Sequence, residues 1–262
     1  NQTMRLHPAL VLLCLPLSAQ LPWRDQGLLN LAASPQARLH PVPVRAVALQ
    51  PGFWKARQDV TISKSIPTLL ALLEEKGTLD NFRRLSGEAP GVARRGPLYT
   101  DSDLYKWLEA AAWSLAVHPD PQLEATIDKT IATILAAQEP SGYLNTWFVG
   151  ERQKLRWQQQ TSGHELYCLG HLTQAAIAYY RVTGKRTRLD GAQRFVNYLL
   201  RGFGPAPNQP LVTGHPELEL ALAELYRTTG HRHCLELVRY LFSGVEHQRL
   251  NLRPRDLAYM FS

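Results

Sequence analysis

The chain has 262 residues, of which 45% are hydrophobic, and its 29 Lys and Arg residues against 22 Asp and Glu residues give a formal net charge of +7. This composition excludes a disordered chain, and three cysteines are too few for a disulfide scaffold or a Cys-rich zinc module. The positive charge is spread over single and paired arginines, such as Arg83-Arg84, instead of forming a basic stripe. We therefore expect no nucleic-acid partner.

The N-terminal residues have the pattern of an export signal. Arg5 and His7 precede the apolar run Ala9–Leu17, which Ser18-Ala19 closes. A charged start, a short apolar core and a small-residue end are typical of a secretory signal peptide, and the run is too short to cross a bilayer of about 30 Å. The sequence predicts a signal peptide over residues 1–19, a secreted or periplasmic protein and no membrane anchor. An apolar N-terminal strand is the alternative.

Prolines dominate the next segment. Leu21-Pro22, Pro35, Pro41 and Pro43 interrupt any helical period. We expect residues 20–50 to be a linker or an irregular lead-in, with one extended edge strand at His40–Val44.

From Ile62 onward, apolar residues recur at helical spacing. The predicted helices begin near Ile66, at Asp101 and at Asp120, and four more cover residues 165–183, 187–201, 216–229 and 232–243. Short polar side chains at Asp101 and Asp120 are typical helix caps. The sequence therefore predicts seven helices and an all-α fold.

Two further features lie within this helical region. The period disappears between residues 140 and 163, and loops of that length with aromatic content are often functional. Tyr180–Gly184 recurs 46 residues later as Tyr226–Gly230, each copy before an amphipathic helix. A two-helix repeat of this length is typical of a solenoid or a closed α/α toroid.

Several strings resemble glycoside hydrolase family 127, and they occur in that family's order. They are Gly52-Phe53-Trp54, Asp80-Asn81-Phe82-Arg83-Arg84, the run from Asp101 to Ala111, Ser141-Gly142-Tyr143-Leu144-Asn145-Thr146, His164-Glu165-Leu166-Tyr167 and the run from Gly214 to Leu222. The resemblance extends over roughly residues 51–244.

This resemblance implies a fold and a chemistry. The family is typified by β-L-arabinofuranosidases, whose catalytic domain is an (α/α)6 barrel. A zinc-held cysteine thiolate is the nucleophile and a glutamate the acid/base, and the zinc ligands come from a Glu-x-Cys segment and a Cys-Cys pair. Neither string occurs here. We therefore assign no catalytic residue and expect no cofactor in this chain, with the family's zinc ligands beyond Ser262.

The same resemblance nominates sugar contacts. His164 and His215 match family histidines that line the sugar pocket, and a neutral imidazole offers sugar hydroxyls one donor and one acceptor. The alternative is that each histidine caps its helix or bonds a neighbouring loop. Asp101 and Asp103 are candidates for sugar contacts at the pocket rim, although their position at a helix start favours capping.

Other candidates have structural alternatives. Trp107 and Tyr143 could stack on a sugar face, but aromatic residues at helical spacing usually belong to the core. His231, His233 and Cys234 cluster at a helix start without enough further ligands for zinc. We predict no metal site here, and we expect Cys168 and Cys234 to be buried free thiols.

The fold prediction is thus an antiparallel array of helix hairpins, about half of an (α/α)6 barrel, over residues 51–262. The function prediction is a β-L-arabinofuranosidase-type glycoside hydrolase that acts on an arabinose-containing glycan. We expect it to be truncated and inactive alone, with a C-terminal half as its missing partner and an exposed apolar patch on the last helices. The alternatives are a non-catalytic helical remnant and a sugar-binding or interaction module.

Overall fold

A computed structural model describes residues 27–32 and 34–243. The predicted signal peptide lies outside the described residues. Within them the chain forms nine α-helices: α1 Phe53–Val60, α2 Ile66–Glu75, α3 Thr78–Ser86, α4 Thr100–Val117, α5 Pro121–Ala136, α6 Glu165–Thr183, α7 Thr187–Gly202, α8 Glu217–Thr229 and α9 Arg232–Phe242. This part of the chain contains no β-strand, only an isolated bridge between Phe203 and Gln209. The all-α prediction is confirmed.

The helices pack in two layers. Short connections pair α4 with α5, α6 with α7, and α8 with α9, while α4, α6 and α8 lie side by side in one row. Gly170 permits the close approach of α6 and α8, because a Cβ there would lie 2.7 Å from Glu217 Cγ and 3.1 Å from the backbone nitrogen of Leu218. Burial of large apolar residues, each worth about 1.5–3 kcal/mol, stabilises this row.

Of the two predicted helix caps, one is present in the structure and the other is not. The Asp120 carboxylate accepts hydrogen bonds from the backbone N–H groups of Gln122 and Leu123, at 2.8 and 3.1 Å, so this predicted cap is confirmed. The predicted cap at Asp101 is wrong. Helix α4 begins after Tyr99 without a side-chain cap, because the Asp101 side chain is buried and bonds Thr146 instead.

The helix count and one strand require correction. Helix α1 has no buried residue, so it lacks the apolar stripe that periodicity detects. Helix α3 has only nine residues between Gly77 and Gly87, too short for the same signal. The predicted edge strand at His40–Val44 is also wrong, since its last residue begins a 3-10 turn, Val44–Ala46.

The lead-in segment is fastened to the helices by a buried ion pair. The fully buried Arg181 guanidinium donates to Glu224 Oε2 at 2.8 Å and to the carbonyl oxygens of Gly27 and Leu28, at 3.1 and 2.8 Å. The backbone N–H of Asn30 donates to the same carboxylate at 3.1 Å. Residues 27–30 therefore pack where α6 and α8 meet.

Among the helices, apolar exposure is greatest at the first two. The exposed large apolar side chains of residues 53–75 are Phe53, Trp54, Val60, Leu69 and Leu72, whereas α8 and α9 expose Leu220 and Phe242. The apolar exposure predicted for the last helices is thus present but smaller than that at the opposite edge. No helix among the described residues is long and apolar enough to span a bilayer.

Candidate sugar-binding site

Two histidines meet at the N-terminal ends of α6 and α8. His164 immediately precedes α6, and its Nε2 lies 3.3 Å from Nε2 of His215. The Nδ1 of His164 lies 2.6 Å from the Ser162 carbonyl oxygen, which can only accept. In neutral His164 the proton therefore sits on Nδ1 and Nε2 is an acceptor, so His215 donates from its own Nε2. Desolvation, with the neighbouring His164, lowers the pKa of His215 and favours its neutral form.

The backbone holds this imidazole pair tightly. His164 has a φ of 59°, a left-handed conformation that is uncommon for residues other than glycine. Beside His215, a Cβ at Gly214 would lie 1.8 Å from the Thr161 carbonyl oxygen. Only glycine lets the two loops approach so closely, and that approach brings the two imidazoles together.

Aromatic and cationic groups border the pair. The ring centroid of Tyr99 is 5.2 Å from that of His164, and the Tyr167 ring is 5.6 Å from His164 and 5.0 Å from His215. The Lys106 ammonium lies 4.9 Å from the Tyr167 ring centroid. Phenol rings and a cation beside polar imidazoles can combine apolar contact with hydrogen bonding to a sugar.

A buried acid, Glu217, and a buried base, His171, lie next to each other beside the imidazole pair. His171 is one helical turn after Tyr167 in α6. Glu217 Oε1 is 3.1 Å from Nδ1 of His171, a contact too poorly aligned to be a hydrogen bond, and neither atom has another hydrogen-bond partner among the described residues. Burial, with the charge of Glu109, raises the pKa of Glu217 to about 7. Burial, with the charge of Lys106, lowers the pKa of His171 to about 4. His171 is therefore neutral at neutral pH, and Glu217 is substantially protonated there.

This second pair is not among the residues that the sequence nominates for the site. An acid in the first turn of a helix, as at Glu217, is an ordinary helix-start preference. A usable signal existed, because Tyr167 and His171 are four residues apart and so share one face of α6. That face is the one that contacts His215.

The two candidate aspartates do not join the imidazoles. Asp101 is fully buried and accepts hydrogen bonds from the Thr146 backbone N–H and hydroxyl, at 2.7 and 2.5 Å. Burial raises the pKa of its carboxyl. Asp103 is exposed, with its carboxylate 3.8 Å from the Lys106 ammonium. Of the two, only Asp103 is open to solvent, and Lys106, which it faces, lies over the Tyr167 ring beside the imidazole pair.

A second buried carboxylate fixes the far end of the loop between α5 and α6. Glu165 accepts from the Tyr143 hydroxyl and from the Trp157 backbone N–H, both at 2.6 Å, and burial raises its pKa to about 7. Asp101 and Glu165 thus anchor the 140–163 loop at two points. Tyr143 and Trp107 are themselves buried, so the core interpretation of these two aromatics is correct.

The cysteines do not fit a zinc–thiolate centre. Cys168 and Cys234 are free and buried, and burial raises the pKa of both thiols, that of Cys234 to about 12. Across residues 27–32 and 34–243, no group of three or more His, Cys, Asp and Glu side chains could hold a metal ion. We therefore derive no step through zinc from these residues.

Comparisons with known proteins agree with the strings and with the helical array. A non-reducing end β-L-arabinofuranosidase of Bifidobacterium longum is 35% identical over 221 residues, which are 74% of this chain and 33% of that protein. A solved β-L-arabinofuranosidase of glycoside hydrolase family 127 (GH127) from Geobacillus stearothermophilus T6 is 40% identical, with a TM-score of 0.71 over 74% of this chain and 32% of its own. A solved GH127 β-arabinofuranosidase is 33% identical, with a TM-score of 0.73 over 78% and 34% of the two chains.

The chain spans about a third of the length of each of these relatives. The family profile of the GH127 β-L-arabinofuranosidase catalytic domain matches residues 46–252, most of the chain. By this match and by the relatives' identities, the chain belongs to the catalytic-domain family of the GH127 β-L-arabinofuranosidases.

Proposed function

We propose that this chain forms the sugar-binding wall of a β-L-arabinofuranosidase-type glycoside hydrolase that acts on arabinose-containing glycans. The observation that carries the proposal is the His164–His215 pair, with a donor and an acceptor 3.3 Å apart. A sugar hydroxyl both donates and accepts, so it can replace this imidazole–imidazole contact without leaving either nitrogen unpaired. Family membership supports the substrate class.

Neighbouring residues would orient the sugar. Tyr167 packs against both the imidazole of His215 and that of His171, so its ring can support an apolar sugar face. Glu217 Oε1 and His171 Nδ1 are buried against each other, and the Glu217 side chain keeps 15% of its surface exposed. Below pH 7, a protonated Glu217 would donate a hydrogen bond to a sugar oxygen. Asp103 remains a candidate for sugar contact at the pocket rim, together with Lys106. Asp101 would act on the sugar only indirectly, by holding Thr146.

The reaction needs an activated nucleophile that the described residues do not provide. A covalent glycosidase mechanism requires a nucleophile beside the anomeric carbon and an acid/base partner. By resemblance, zinc supplies a thiolate nucleophile, and we propose that the residues holding it lie beyond Ser262. His164, His215 and their neighbours would then bind and orient the sugar for that second part.

Sugar titration tests the proposal. We expect L-arabinose and methyl β-L-arabinofuranoside to bind the purified chain weakly, and His164→Ala and His215→Ala each to raise the Kd by about tenfold, as the loss of a hydrogen bond to a buried polar site predicts. His233→Ala is the control, since His233 is exposed and its polar and ring contacts among the described residues are with Glu236 and His231. Binding that both pocket variants retain would contradict the proposal.

The alternative of an interaction module has one observation in its favour. Phe53 and Trp54 expose 64% and 71% of their surfaces at the first helix, and exposed apolar surface of this kind often marks an interface. We propose that these residues pack against the polypeptide that corresponds to the rest of the relatives' length. Trp54→Gln is expected to lower bis-ANS fluorescence, and an unchanged signal would contradict an accessible apolar edge.

We also propose that the protein is exported, on the pattern of residues 1–19. Mass spectrometry of the protein from a secreting host is expected to show an N-terminus near Gln20. An intact N-terminus in the cell fraction would contradict export.

A further inference from the structure

Three arginines from separate elements gather around two neighbouring residues, Thr146 and the half-buried Trp147. Arg84 of α3 donates to the Thr146 carbonyl oxygen at 2.6 Å, and Arg94 lies within 3.3 Å of the Thr146 hydroxyl. The guanidinium carbons of Arg94 and Arg152 lie 4.7 and 4.1 Å from the Trp147 ring centroid. We name Arg84, Arg94 and Arg152 the arginine cluster.

The cluster carries more positive charge than its surroundings compensate. Some arginines of the described residues pair with carboxylates, as Arg83 does with Glu74 and Arg156 with Glu139. No member of the arginine cluster forms an ion pair with a described residue, although its three cations lie close together. The one carboxylate whose charge acts on both Arg84 and Arg94 is Asp101, and both its oxygens already accept from Thr146. Three cations therefore face a single engaged anion.

Two of the three guanidiniums have hydrogen-bond donors to spare. Arg94 is occupied, since its terminal nitrogens donate to the backbone carbonyl oxygens of residues 95, 96 and 97. By contrast, the Arg84 side chain donates from Nη2 to the Thr146 carbonyl oxygen and leaves Nη1 without an acceptor among the described residues. Arg152 packs on Trp147 and has no acceptor among the described residues. The planar guanidinium fork matches a carboxylate better than any other common group.

The cluster lies at the same end of the helix row as the imidazole pair. Thr146 joins it to Asp101 in the first turn of α4, and Tyr99, directly before that helix, packs against His164. The cluster and the imidazoles do not touch each other, so a ligand that reaches both contains more than one sugar unit.

We propose that Arg84 and Arg152 form a subsite for the carboxylate of an acidic sugar in the same glycan that the imidazole pair engages. The Thr146 carbonyl oxygen holds the Arg84 guanidinium, the Trp147 ring holds that of Arg152, and the carboxylate supplies the missing negative charge. The inference rests on the proposed carbohydrate function, which it deepens by assigning an acidic glycan as the ligand.

The test is equilibrium titration of the full chain with galacturonic acid, its neutral methyl ester, inorganic sulfate and L-arabinose. The acid is expected to bind, to weaken as salt is added, and to lose about tenfold in affinity in Arg84→Gln and in Arg152→Gln. Arg239→Gln is the matched control, since it removes one charge from an exposed position on α9. The methyl ester is expected to bind no more tightly than L-arabinose.

The outcomes separate the two proposals. Arabinose binding without uronate binding would overturn the subsite and leave the sugar site standing, whereas uronate binding without arabinose binding would overturn the imidazole assignment. Sulfate bound as tightly as the uronate would show an adventitious ion only and overturn the acidic-sugar assignment. If Arg84→Gln does not fold, Arg152→Gln decides the test alone, because the Arg152 side chain donates no hydrogen bond to a described residue and its backbone bond to Val149 is kept in the variant.

Discussion

Replacing Gly214 by alanine perturbs the site at its closest backbone approach. The added Cβ would lie 1.8 Å from the Thr161 carbonyl oxygen, and contacts shorter than 3.0 Å are essentially never observed, so the two loops must separate by about 1.2 Å or more. The imidazole nitrogens start 3.3 Å apart. A separation of that size takes them beyond hydrogen-bonding distance.

Overpacking of this kind costs about 1–3 kcal/mol, which lowers the Tm of a domain of this size by roughly 2–12 °C. We expect Gly214→Ala to show that loss in thermal melting and to weaken L-arabinose binding to the level of His215→Ala. Gly202→Ala is the control, because a Cβ added there would have no atom within 4 Å and its φ is not left-handed. A Gly214→Ala protein with wild-type melting and wild-type sugar affinity would refute the close-approach argument.

Three further predictions concern buried charge and chemistry. Because the pKa of Glu217 is raised to about 7 in the folded state, the folded chain binds an extra proton between about pH 4.5 and pH 7. The contribution of Glu217 to the free energy of unfolding therefore falls as pH rises through that window. In denaturant titrations, the stability of Glu217→Gln relative to wild type should rise by about 1–3 kcal/mol from pH 5 to pH 8, and a pH-independent difference would contradict the burial argument. Arg181→Gln is expected to destabilise the protein by about 1–3 kcal/mol, since it removes buried hydrogen bonds to Glu224 and to the Gly27 and Leu28 carbonyl oxygens while Arg227 still pairs with Glu224. It should also expose residues 27–32 to limited proteolysis. Arg186→Gln, at an exposed ion pair, should be nearly neutral, and equal effects of the two would be contrary evidence. The 262-residue chain is not expected to hydrolyse aryl β-L-arabinofuranosides with or without zinc and reductant, and turnover abolished by Cys168→Ser would show the assignment of the nucleophile to be wrong.

Sequence patterning predicts the helices whose burial is periodic and misses those whose burial is not. Helices α4 to α9 follow the apolar period, the Asp120–Pro121 start and the glycine stops closely. Helix α1 is missed because its apolar residues face solvent and so form no buried stripe. The irregular lead-in is predicted, but its attachment depends on Arg181, whose partners lie 43 and more residues away.

The site residues likewise divide into those that the sequence selects and those that it misses. The resemblance selects His164 and His215, and the structure brings their nitrogens together. Asp101 illustrates the opposite case, because local preference for a cap is overridden by a partner 45 residues away, Thr146. Local spacing cannot detect such a partner. Glu217 and His171 are missed for the same reason, since their contact joins two helices.

The most direct test of the central claim is a histidine-selective nuclear magnetic resonance titration of the chain with L-arabinose. If the imidazole pair binds the sugar, the ring nitrogen resonances of His164 and His215 shift saturably, while those of His231 and His233, at the start of α9, stay constant. Unchanged resonances of His164 and His215 at saturating sugar, or equal shifts at all four histidines, would contradict the account.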